Sequence, residues 1–89
     1  MLTHKEDEAA NRVSVLLLGD EYVIRGADAA EHLARVAGIV KRRLEIEQAS
    51  HPRLAKLQLA MLVALTLADE LAKLQDEHEE VLHLFAEAK

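Results

Sequence analysis

The sequence predicts an α+β fold that is mainly α: an N-terminal β-hairpin, a short helix, and a long C-terminal helix that forms an oligomeric coiled coil. Two β-rich runs flank a glycine near the N-terminus, two amphipathic stretches follow, and the second stretch carries a heptad repeat. Hydrophobic residues make up 51% of the 89 residues but aromatic residues only 2%, so the core is aliphatic, as in packed helices.

Length and charge narrow the class of protein. A chain of this size forms one domain that buries only about 60–65% of its unfolded surface, so its aliphatic content predicts self-association. Residues 1–11 have few apolar side chains and no signal-peptide core, and we expect a disordered arm there. The most apolar stretch is about 12 residues long, whereas a membrane-spanning helix needs about 20. We therefore expect a cytoplasmic protein without membrane insertion. The net charge of −5 also disfavours binding to nucleic acid, because phosphate neutralisation supplies most of that affinity.

Residues 13–25 predict the hairpin, because two apolar runs flank a Gly19-Asp20 turn. This turn would pair Leu18 with Glu21 and Leu17 with Tyr22. An isolated hairpin is marginal in water, so its apolar face should pack on a helix. The residues on that face are Val13, Val15, Leu17, Tyr22 and Ile24.

The first helix is predicted over residues 29–49. Asp28 and Glu31 have the spacing of a capping box just before it. Apolar residues then recur at spacings of three and four, which predicts one buried stripe on an amphipathic helix. The residues of this stripe are Leu33, Val36, Ala37, Val40 and Leu44.

The second helix is predicted over residues 52–87, because Pro52 suits a first helical turn and no breaker follows. Its first half is apolar on nearly every side, so part of it should be buried by another chain. We expect a head over residues 12–68 and a coiled-coil tail over 69–89. A heptad seam for self-association comprises Leu57, Ala60, Ala64, Leu67, Leu71, Leu74, His78, Val81 and Phe85.

No residue pattern predicts catalysis or a metal site. His78 and His83 lie five residues apart and therefore on different helix faces, whereas metal ligands on one helix lie three or four apart. Carboxylate pairs fall on exposed helix surface, without a pocket to shift a pKa into the working range. No hydroxyl has a histidine placed to activate it, and the chain has no cysteine. We expect neither an enzyme nor a cofactor.

Charge placement suggests a partner surface. Basic residues cluster around the turn between the helices, whereas the first part of the tail, residues 69–80, is mainly acidic. The cluster is either ordinary solvated surface or a basic patch that faces an acidic protein partner. Asp20 at the hairpin tip is added to the candidates because residues of a turn are accessible to a partner. The candidate partner-binding residues are Asp20, Arg42, Arg43, Arg53 and Lys56.

Three motifs follow one another in an order typical of one family. A strand that includes Leu18 leads into Gly-x-x-Tyr-x-Ile-x-Gly over residues 19–26. An x-Pro turn follows the first helix, and a Leu/Ala-rich helix runs into residues 69–75. Over residues 12–79 the chain resembles the ZapA family of bacterial cell-division proteins. It departs from the family at His51 and Thr66, where relatives often have Asn.

The resemblance implies a protein that binds the tubulin-like GTPase FtsZ, cross-links its filaments, and stabilises the division ring at midcell. It also implies dimers through head and helix, and tetramers through the coil. The alternative is a structural homodimerisation or coiled-coil scaffold with a different protein partner. An RNA-binding helical dimer is disfavoured by the negative charge and the lack of stacking aromatic residues.

Overall fold

A computed structural model of the chain describes residues 11–87, which form a β-hairpin followed by two helices. The strands are β1 (Asn11–Leu17) and β2 (Asp20–Gly26), and the helices are α1 (Ala30–Ser50) and α2 (Lys56–Glu87). The predicted α+β, mainly α architecture is confirmed. Most of the predicted disordered arm lies outside the described residues, as do residues 88–89. The last residue of the predicted arm, Asn11, is not disordered as expected, because it is the first residue of β1.

The hairpin has a different register from the predicted one. The strands are antiparallel and pair Leu17 with Asp20 and Val15 with Tyr22. The turn therefore centres on Leu18 and Gly19, with φ angles of 51° and 87°. Positive φ at both central residues is the requirement of a type I′ turn, whose twist matches that of the strands. The predicted Gly19-Asp20 turn is wrong by one residue.

Packing of Leu18 accounts for the position of the turn. Leucine rarely adopts positive φ, because its Cβ crowds the backbone there. The Leu18 side chain, however, packs against the buried cluster of Leu44, Leu59 and Val63. Moving the turn by one residue changes each pairing by two positions, so the apolar residues still share one face.

Helix α1 lies at the centre of the fold and contacts both strands and α2. Leu33, Ala37 and Leu44 of the predicted stripe are buried, and its two valines are half-buried, so the predicted face of α1 is confirmed. The predicted capping box is absent, because α1 begins one residue later than expected and its N-cap, Ala29, has no side-chain cap. Asp28 instead accepts a hydrogen bond at its carbonyl from Asn11 Nδ2, at 2.8 Å.

Helix α2 begins at Lys56, four residues later than predicted. The chain first turns after α1, with the Leu54 N–H donating to the His51 carbonyl at 3.2 Å. The side chain of Gln58 then accepts a hydrogen bond from the Ala55 N–H at 3.0 Å, which satisfies one of the free donors at the helix start. This turn lets α2 fold back against α1.

Candidate self-association groove and partner surface

An apolar groove of about 440 Å³ opens between the hairpin, α1 and the first half of α2. The hairpin tip contributes Leu17, Leu18 and Tyr22, and α1 contributes Val40 and Leu44. The shifted turn places Leu18 here, which the predicted register did not anticipate. The remaining wall is formed by Lys56, Leu57, Ala60, Val63, Ala64 and Leu67 of α2.

The groove contains the first four residues of the predicted heptad seam. Two of them, Ala60 and Ala64, lie one helical turn apart and leave space for the close approach of another helix. Leu57 is 73% exposed although it lies two residues from Leu59, which is 1% exposed and belongs to the core. The α2 helix therefore divides its apolar residues between a buried stripe and an uncovered one.

The rest of the seam continues along the tail. Every described residue from Leu71 to Glu87 is exposed, so this part of α2 extends beyond the head by about 25 Å. Near the start of this segment, Lys73 Nζ lies 2.9 Å from Oδ2 of Asp69, one helical turn earlier, and this hydrogen bond raises the pKa of Lys73. The uncovered seam residues of the tail are Leu71, Leu74, His78, Val81 and Phe85.

Two of the predicted partner-binding residues pair with each other at the mouth of the groove. Lys56 Nζ lies 2.9 Å from Asp20 Oδ2, so the ion pair joins the start of α2 to the end of the hairpin turn. Both side chains are exposed, and a solvated pair of this kind contributes little to stability. Asp20 and Lys56 therefore form an internal contact in the protomer.

A third predicted residue is also held inside the protomer. Arg43 donates two hydrogen bonds to the carboxylate of Glu70, one of them from Nη2 to Oε1 at 2.6 Å. This hydrogen bonding raises the pKa of Arg43 further above its already high ordinary value. Glu70 could not be identified from the sequence, because 27 residues separate it from Arg43 and no helical spacing links them.

The two other candidates remain available to a partner. Arg42 on α1 and Arg53 in the turn before α2 are exposed, and within residues 11–87 neither forms an ion pair. The structure therefore does not bring the five candidates together as one patch. It couples Asp20 to Lys56, directs Arg43 to α2, and leaves two arginines facing solvent.

The described residues do not cluster as metal ligands. Among residues 11–87, no three His, Asp or Glu side chains lie close enough together to hold a metal ion. Neither α1 nor α2 combines the length and apolar character of a membrane-crossing helix. Thr66, one of the two departures from the family pattern, donates its hydroxyl to the Leu62 carbonyl at 2.9 Å.

The fold and the open groove are those of a small, mainly helical protein whose long helix leaves one apolar face uncovered. The sequence model described as Cell division protein ZapA matches residues 13–87, and the chain belongs to this family. The resemblance seen in the sequence is thereby confirmed.

Individual relatives agree with this assignment. Cell division protein ZapA of Geobacillus thermodenitrificans is 34% identical over 73 residues, which are 82% of this chain and 80% of the relative. The protein of the same name from Bacillus thuringiensis is 31% identical over 71 residues, with 80% of each chain covered. A solved structure described as a ZapA mutant dimer from Geobacillus stearothermophilus superposes with a TM-score of 0.68 at 30% identity, covering 93% of this chain and 96% of that one.

Proposed function

We propose that this chain dimerises through its groove and seam, binds FtsZ, and cross-links FtsZ filaments so that the division ring is stabilised. The observation that carries the proposal is the continuous apolar surface of α2, which runs from the groove onto the tail without a covering element. The FtsZ partner is supported by membership of the cell-division family.

The large apolar side chains that α2 leaves exposed support self-association. Monomeric proteins rarely expose contiguous apolar patches larger than a few hundred Å². Here the groove joins a seam on the tail, and α2 also exposes Met61 and Leu65 on a neighbouring face. A free monomer would leave all of these side chains in water.

A second copy of the chain is the occupant that fits the groove. Met61 and Leu65 form a ridge one helical turn long, and Ala60 and Ala64 form a matching depression beside it. In a two-fold interface, the ridge of each copy can enter the depression of the other. The solved relative is described as a dimer, which supports an assembly of two chains.

A dimer explains cross-linking without any chemical reaction. Two copies of one weak site on a rigid particle bind two filaments, because the first contact raises the local concentration of the second. No catalytic step and no cofactor are needed for this function. The protein would act in the cytoplasm at midcell, where the FtsZ ring assembles.

Co-sedimentation with purified FtsZ tests the proposal. With GTP, the protein should pellet with the polymer and raise its light scattering, and with GDP it should stay in the supernatant. If the GTP polymer pellets without this protein over a range of salt concentrations, the proposal that the protein binds FtsZ is wrong. A homodimeric scaffold for a different protein partner would then remain.

A further inference from the structure

The solvent-facing side of α1 carries an apolar and basic stripe that the fold does not use. Ile39 and Ile46 are 45% and 48% exposed, although isoleucine is among the most often buried residues. Arg35 and Arg42 alternate with them at spacings of four, three and four, so all four side chains share one face of the helix. We call these four residues the outer stripe.

The outer stripe has a positive charge in an acidic protein. Its two charged members are both arginines, Arg35 and Arg42, whereas the net charge of the chain is −5. Within the described part of the chain, neither Arg35 nor Arg42 forms an ion pair. The guanidinium groups are therefore available to carboxylates of another molecule.

The outer stripe faces away from the groove. Val40 and Leu44 of α1 line the groove, and they lie on a different side of the helix from Ile39 and Ile46. A second copy seated in the groove leaves the stripe uncovered. The stripe of each protomer in a dimer is then a separate surface for a different molecule.

We propose that the outer stripe binds an acidic amphipathic helical segment of FtsZ, with the two isoleucines as apolar anchors and the two arginines as carboxylate contacts. Ile39 and Ile46 lie about 10 Å apart along the helix axis, the two-turn spacing at which a second helix presents its own apolar residues. This inference rests on the proposed function and assigns its partner-binding surface to α1.

Two matched double variants test the apolar part. Ile39→Ser with Ile46→Ser removes the anchors, and Leu16→Ser with Val23→Ser removes two aliphatic side chains of similar exposure, 53% and 52%, from the hairpin. Co-sedimentation over a range of FtsZ concentrations with GTP gives the apparent Kd. Sedimentation velocity and circular dichroism report whether each variant keeps the wild-type mass and helix content.

The α1 double variant should bind FtsZ at least about tenfold more weakly with unchanged mass, and the hairpin double variant should bind as wild type. If both double variants pellet with FtsZ as well as wild type does, the outer stripe is not the binding surface, although the proposed function stands. If wild type itself stays in the supernatant, the proposed function fails and this inference fails with it.

A salt series tests the acidic character of the partner segment. Arg35→Gln with Arg42→Gln should weaken binding at low salt and flatten its dependence on salt concentration, because two charge contacts are removed. The isoleucine double variant should weaken binding at every salt concentration. If the arginine double variant keeps both the affinity and the salt dependence of wild type, an acidic partner segment is ruled out.

Discussion

Arg43 and Glu70 join the middle of α1 to the last residue of α2 that is partly buried. Their side chains form two hydrogen bonds, and both are partly exposed. Beyond Glu70 every described residue of α2 is exposed. The pair therefore ties α1 to α2 just before the exposed part of α2, and it helps to set the direction of that part.

The neighbouring arginines of α1 should have separable roles. Arg43→Gln should lower the melting temperature and leave FtsZ binding unchanged, because Arg43 contacts Glu70 within the protomer. Arg42→Gln should leave the melting temperature unchanged and weaken FtsZ binding, because Arg42 is exposed and unpaired within residues 11–87. Thermal unfolding and co-sedimentation of the two variants check this prediction.

A charge exchange provides the control for Arg43. Arg43→Glu alone places two carboxylates together, and adding Glu70→Arg should restore much of the lost thermal stability. If the double exchange is no more stable than Arg43→Glu alone, the pair does not contribute as described. If Arg43→Gln weakens FtsZ binding as much as Arg42→Gln does, Arg43 belongs to the partner surface after all.

A charge in the groove should prevent dimerisation without disturbing the protomer. Ala64 lines the groove and is exposed, so Ala64→Glu should weaken the dimer by about 100-fold or more, since it places an unpaired carboxylate in an apolar interface. Ala72→Glu is the matched control, because Ala72 is also exposed on α2 and lies off the heptad seam. Sedimentation equilibrium measures both. A dimeric Ala64→Glu variant would contradict the assignment of the groove.

Truncation of two leucines of α2 should have different effects, one on the stability of the protomer and the other on the affinity of the dimer. Leu59→Ala should lower the free energy of unfolding by about 2–4 kcal/mol, because Leu59 is buried in the core cluster. Leu57→Ala should raise the dimer Kd by about tenfold, because Leu57 lines the open groove. Urea unfolding and sedimentation equilibrium separate the two effects. An equal loss of protomer stability in both variants would place Leu57 in the core.

Two glycines should respond to alanine with opposite signs. Gly19 has a φ of 87° and open space where a methyl group would stand, so Gly19→Ala should cost about 1 kcal/mol through backbone conformation alone. Gly38 lies inside α1, also with open space, and Gly38→Ala should stabilise the protein by about 0.5–1 kcal/mol. Urea unfolding checks both signs, and a stabilising Gly19→Ala would argue against the Leu18-Gly19 turn.

Periodic features of the fold could be predicted from the sequence. The alternation of the strands and the three-and-four spacing of α1 identified the correct faces, because each depends only on local geometry. The exact turn could not be predicted, since the tertiary contact of Leu18 with the buried cluster outweighs the poor preference of leucine for positive φ. The absent capping box at Asp28 shows the same limit at a helix start.

The candidate site was less predictable than the fold. The first four seam residues do line a groove, because the heptad spacing marks one side of α2. Charge clustering along the chain could not reveal which cations are already paired. Contacts of Arg43 with Glu70 and of Lys56 with Asp20 span 27 and 36 residues, and only the folded chain brings them together.

The most direct test of cross-linking through a dimer compares FtsZ bundling by wild type, Ala64→Glu and Ala72→Glu, with light scattering and co-sedimentation recorded on the same GTP-containing samples. Wild type and Ala72→Glu should pellet with the polymer and raise its scattering. Ala64→Glu should bind as a monomer and leave the scattering at the level of FtsZ alone, because one copy cannot bridge two filaments. A monomeric Ala64→Glu variant that bundles filaments as well as wild type would contradict the claim that dimerisation through the groove produces cross-linking.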